Sequence, residues 1–214
     1  SLLGDVPRGV MLDQAPIFLG GQGGLAGPVR IEYGTVQAAG LVSRKDVLQP
    51  NQLVVPVTPH AGTFPYETGY RSVARVVRNC AIYLGNVAAL QVWYEQVRRP
   101  LLARTPHGKA CLEGALKQVA AVRKERLKRL DDVMEKIAKE NRAQLAAELC
   151  REHEKLCGGW TAARERLAAA GDVDCAEKAA FLAAWPAATE ESYLAPVQAP
   201  PAEAKAAGTA WLQK

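Results

Sequence analysis

A six-residue rhythm between Ile17 and Val47 constrains the fold of this chain more than any other feature; the stretch reads IFLGGQGGLAGPVRIEYGTVQAAGLVSRKDV. An aliphatic residue followed by a small or acidic one recurs at Leu19-Gly20, Leu25-Ala26 and Ile31-Glu32. A second series, four residues further on, runs through Gly23, Val29, Thr35, Leu41 and Val47. An amphipathic helix repeats every 3.6 residues and a half-buried strand every two, so neither produces a period of six. A parallel β-helix does, because each hexad supplies one short strand and one turn. Gly20, Gly21, Gly34 and Gly40 are then the expected turn residues, since glycine adds no bulk to a narrow corner.

The run from Val29 to Val47 has Gly-Pro-Val at 27–29, Ala-Ala-Gly at 38–40 and Arg-Lys-Asp-Val at 44–47. It resembles the last coils of the hexapeptide-repeat left-handed β-helix family. The similarity is to the C-terminal domain of the bacterial N-acetylglucosamine-1-phosphate uridylyltransferase/glucosamine-1-phosphate acetyltransferase and of related sugar-nucleotide pyrophosphorylases. It covers residues 17–58. The resemblance implies a homo-oligomer, specifically a trimer, and a sugar nucleotide or phosphorylated sugar as ligand. It also implies that acyltransferases of this kind use a histidine base and hold acyl-CoA in a groove between subunits. His60, in the loop Val57-Thr58-Pro59-His60 just past the last expected strand, is the residue that would be that base.

Fewer than two coils fit in the hexads present, whereas repeat architectures need three or more units to bury a continuous core. With Ser1 at the start and the repeat under way by residue 17, the chain is expected to be part of a longer polypeptide. Leu53-Val54-Val55 is the expected final strand, and a segment with four prolines between Leu48 and Gly69 leads away from it. Beyond that the pattern turns helical. One helix is expected to about Arg99, ended by Pro100. A longer one after Pro106-His107-Gly108 carries a stripe of Leu112, Leu116, Val119, Leu127, Leu130, Val133, Met134 and Ile137 on a charged rod, up to a break at Gly158-Gly159. A short terminal helix should dock Trp211 and Leu212. The expected class is therefore α+β: β-helix coils over 1–58, a linker over 59–69 and an α-helical domain with a long helical hairpin over 70–214.

The 27 Lys and Arg against 22 Asp and Glu give a formal charge of +5, mildly basic and short of a nucleic-acid footprint. No apolar run reaches the length of a membrane span. Five scattered cysteines without C-x-x-C spacing fit a reduced, cytoplasmic protein and no metal site. The glycines at 20–24 lack the Lys-Ser/Thr and the following helix of a phosphate loop. Gln37 and Ser43 occupy positions where the hexads call for aliphatic side chains, so each needs a hydrogen-bond partner or an interface. Arg71, Arg75 and Arg78 fall on one helix face, a candidate anion site or an ordinary solvated face. His107 reads as a turn residue, and His153 as a solvated position on a charged helix.

Three functions follow from different classes. The first is the mainly oligomerising C-terminal part of a sugar-1-phosphate nucleotidyltransferase-like protein of the UDP-sugar pyrophosphorylase type, a transferase whose catalytic domain lies upstream. The second is an acyltransferase using acyl-CoA with His60 as base. Against it, the family's Asn-Tyr-Asp-Gly loop has no counterpart in this chain. The third is a non-catalytic oligomerisation module.

Overall fold

A computed structural model describes residues 1–56, 72–139, 146–185 and 194–214. The linker 59–69, His60 and Arg71 lie outside the described residues. Seven strands of two residues each occur among them: β1 Leu2–Leu3, β2 Phe18–Leu19, β3 Gly24–Leu25, β4 Arg30–Ile31, β5 Val36–Gln37, β6 Val42–Ser43 and β7 Leu53–Val54. All pairing is parallel, in three sheets ordered β1-β4, β2-β5-β7 and β3-β6. Phe18 lies opposite Val36 and Gly24 opposite Val42, so β2 and β3 each pair with the strand three hexads on.

The expected α+β class, a left-handed β-helix followed by a separate helical region, is not what forms. Helices hold most of the described residues, the strands make only small parallel sheets of two, three and two strands, and no closed or solenoid β-helix is seen among them. A helical turn, α1 at Val6–Gly9, already interrupts the strands between β1 and β2. The cause is the shortness of the repeat. Two-residue strands make few ladder hydrogen bonds, and a handful of hexads cannot bury a continuous core alone. What the hexads do specify is an interior: Val29, Ile31, Thr35, Gln37, Leu41 and Ser43 are all buried.

The remaining helices are α2 (Ala74–Trp93), α3 (Arg99–Leu102), α4 (Pro106–Lys139), α5 (Ala147–Ala169), α6 (Ala176–Ala184), α7 (Leu194–Gln198) and α8 (Ala202–Leu212). Pro100 does not stop the chain's helical course at Arg99. A π-helical turn, Tyr94–Arg98, joins α2 to α3, and Pro100 sits in the first turn of α3, where its missing N–H leaves no intrahelical bond unmade. Gly158 and Gly159 lie inside α5 and do not break it. Thr105 caps α4, its Oγ1 accepting the Gly108 N–H at 3.0 Å.

Two compact units divide the chain. The first comprises Ser1–Leu3, Ile17–Tyr83 and Glu125–Ala169. Its helical core packs Val73, Met134 and Ile137 with Val77, Leu156, Cys157 and Trp160. Burying each large side chain contributes about 1.5–3 kcal/mol. Trp160 Nε1 donates to Asp131 Oδ1 at 2.8 Å, and Arg164 pairs with the same carboxylate, so α5 is fastened to α4 through Asp131. Glu152 on α5 accepts the Val73 and Ala74 N–H groups at 2.9 and 3.2 Å, closing the N-terminus of α2 from 78 and 79 residues away in sequence.

The second unit comprises Gly4–Pro16, Leu84–Lys124 and Ala170–Lys214. Its core gathers Met11, Ala89, Val92, Trp93, Val97, Phe181, Trp211 and Leu212. Phe181 is the hub of an aromatic group, with ring centroids 5.9 Å from Trp93, 5.4 Å from Trp185 and 6.1 Å from Trp211. Trp211 and Leu212 dock as the sequence pattern requires, and Trp211 Nε1 donates to Asp172 at 3.2 Å.

Candidate functional site

Three places in the first unit bear on function: an arginine face on α2, a cleft beside it, and the outer face of the three-stranded sheet. On α2, Arg75 and Asn79 stand one turn apart and face Asp46, the acid of the Arg-Lys-Asp-Val run. Asn79 Nδ2 donates to both Asp46 oxygens at 2.9 and 3.0 Å, and Arg75 Nη1 lies 3.6 Å from Oδ1. Asp46 Oδ1 also accepts the Arg30 N–H at 3.1 Å, and Arg75 Nη1 donates to the Pro28 carbonyl at 3.0 Å. Arg75 therefore joins the helix to the hexad region and is not a free fork for an incoming anion. Arg78 is exposed on the same helix, and Arg71 lies outside the described residues, so the three arginines are not brought together as one anion site. Asp46 and Asn79, which sequence reasoning did not single out, carry this junction. The i, i+4 spacing of Arg75 and Asn79 was the available signal.

Beside this junction, Ser1, Pro28, Arg30, Asn79, Cys80 and Arg126 line a cleft of about 20 Å³. That is room for about one water molecule and far too little for a sugar nucleotide or an acyl-CoA arm. Arg126 stacks over the Tyr83 ring, 5.4 Å from its centroid. Burial pushes the Cys80 thiol above its ordinary range, which Arg126 only partly opposes.

The four turn glycines differ. A Cβ on Gly20 would lie 2.6 Å from the Gln37 carbonyl oxygen, so two backbone segments meet closely there. Gly34 and Gly40 have left-handed dihedrals, with φ of +72° and +74°. Gly21 has open space around it and serves no packing need. His60 lies outside the described residues. His107 is not in a turn but in the first turn of α4, and His153 is buried on α5 rather than solvated.

The outer face of the β2-β5-β7 sheet is apolar. Phe18, Val36 and Leu53 are register partners in adjacent strands, and they are 62%, 41% and 69% exposed. Inward alternation sends Gln37 to the interior while its neighbour Val36 points out. Val55 extends the apolar row beyond β7. Among the described residues no three His, Cys, Asp or Glu side chains gather as a metal site, and no helix is long and apolar enough to cross a membrane. No family model, curated protein or solved structure matches this chain.

Proposed function

We propose that the chain is a self-association module, forming a homo-oligomer through the apolar outer face of the β2-β5-β7 sheet. The in-register row of Phe18, Val36 and Leu53, exposed on a parallel sheet, carries this reading. Parallel sheets are found almost only with both faces covered, and apolar patches of this kind mark association sites. Three copies is the number the sequence resemblance implies. The same role is the one the chain would have as the C-terminal part of a sugar-1-phosphate nucleotidyltransferase-like protein. No disulfide joins any of the five cysteines, which supports a reducing, cytoplasmic setting.

The test is the particle mass by light scattering coupled to size exclusion, for the chain and for Phe18→Ser/Leu53→Ser. A multiple of the chain mass that collapses to one copy in the double variant supports the reading. A monomeric parent at about 100 μM, a concentration far above the micromolar Kd of a weak specific contact, removes it.

A further inference from the structure

The five cysteines differ in what their thiols face. Cys80 is partly buried and its proton is held by desolvation. Cys157 is partly buried and its Sγ donates to the Met134 carbonyl at 3.7 Å. Cys175 is partly buried and hydrogen-bonds the Glu177 carboxylate. Cys150 is partly buried on α5. Cys111 alone is exposed, and its Sγ lies 3.6 Å from Nε2 of His107, one helical turn earlier on α4.

An imidazole beside a thiol can take its proton and then stand next to the sulfur as a cation. The neighbours of Cys111 three and four residues away on its helix are His107, Gly108, Gly114 and Ala115, so no carboxylate on that face opposes the thiolate. Cys111 sits in the second turn of a 34-residue helix, near its amide-rich end. Both side chains are open to solvent.

We propose that Cys111 and His107 form a thiol modification site at which Cys111 exchanges with a small disulfide to become a mixed disulfide. His107 Nε2 takes the Sγ proton, and the thiolate attacks one sulfur of the small disulfide. The new S–S bond forms as the old one breaks, and the departing thiolate leaves with the bonding pair and picks up the proton. One disulfide replaces another, so the small disulfide is the only co-reactant.

The full reduced chain is treated with glutathione disulfide at pH 7, and each cysteine's modification is followed by peptide mass spectrometry. Cys111 is expected to react at least about tenfold faster than any of the other four. In His107→Gln its rate falls by about three- to tenfold while the other four are unchanged. Lys109→Gln, which removes a charge from the same region without touching the imidazole, leaves the Cys111 rate within about twofold. Reaction of Cys111 no faster than Cys150, or an unchanged rate in His107→Gln, overturns the assignment. An equal fall in both variants does so too, because the helix's charge rather than His107 would then activate the thiol.

Discussion

Gln37 Nε2 donates to Ser43 Oγ across 2.7 Å, and both residues are buried, at 3% and 5% exposure. Each occupies an inward position of the six-residue pattern, and each is tolerated there because of the other. Ser43→Ala leaves the Gln37 amide without this acceptor and is expected to cost about 1–3 kcal/mol. Gln37→Leu with Ser43→Ala, which removes both polar groups, should return to within about 1 kcal/mol of the parent. Urea denaturation of the four species of the cycle measures the coupling. Purely additive single effects would mean that the pair does not act as a unit.

Thr35 is fully buried in the same interior, and its Oγ1 has no hydrogen-bond partner among the described residues. Its backbone carbonyl accepts the Phe18 N–H at 3.0 Å, so the residue's place in the sheet does not rest on the hydroxyl. Thr35→Val keeps the shape and replaces the unpaired hydroxyl by a methyl. It is expected to stabilise the chain by about 1–2 kcal/mol, read as a higher urea midpoint at unchanged m-value. A lower midpoint would show that the hydroxyl is satisfied in solution.

The interior of the hexad region was legible because period six survives local accidents. Both inward series are buried in their middle, at Val29-Thr35-Leu41 and Ile31-Gln37-Ser43, whereas Leu19 and Gly23 at their starts are exposed. The α4 stripe was legible for the same reason, with Leu112, Val119, Leu127, Leu130, Met134 and Ile137 buried. Periodicity did not reveal how far such a pattern extends into a fold. The β-helix inferred from it reduces to three small sheets, because neighbouring helices rather than further coils supply the buried area. Single-residue punctuation misled in both directions: Pro100 and Gly158-Gly159 are accommodated within helical segments. Arg75 reads from sequence as a candidate anion ligand or a solvated position because its partner Asp46 is 29 residues away, and no local rule reports such a pair.

Gly34 and Gly40 separate two reasons for glycine at a turn. Both are left-handed, yet a Cβ on Gly34 would collide with the Asn51 side-chain oxygen and approach its backbone N to 3.3 Å, whereas one on Gly40 meets nothing within 4 Å. Asn51 N donates to the Tyr33 carbonyl at 3.0 Å, which limits how far it can retreat. Gly40→Ala should therefore cost only the left-handed strain, about 1–2 kcal/mol. Gly34→Ala should cost about 1–2 kcal/mol more. Thermal unfolding of the two variants decides it, and equal melting temperatures would contradict the crowding at Gly34.

Glu177 and Lys214 make an exposed ion pair with a pH signature. Lys214 Nζ lies 2.6 Å from Glu177 Oε2. The hydrogen bond from Lys214, helped by Glu177's own backbone N–H and by Cys175, pulls the carboxyl down to about 2 from an ordinary 4.5. A carboxyl depressed in the folded state contributes stability that is fully present above its unfolded value, and that contribution is lost as pH falls from about 4.5 toward 2. Exposure and salt screening keep the effect on stability small, so the titration itself is the better readout. Side-chain carboxyl NMR of Glu177 should show a midpoint well below the other exposed glutamates. Lys214→Met should raise that midpoint toward 4.5, and 1 M salt should raise it in the parent more than in the variant. A midpoint indifferent to Lys214 would assign the depression to the backbone and Cys175 instead, and low-pH unfolding would then be unaltered by the substitution.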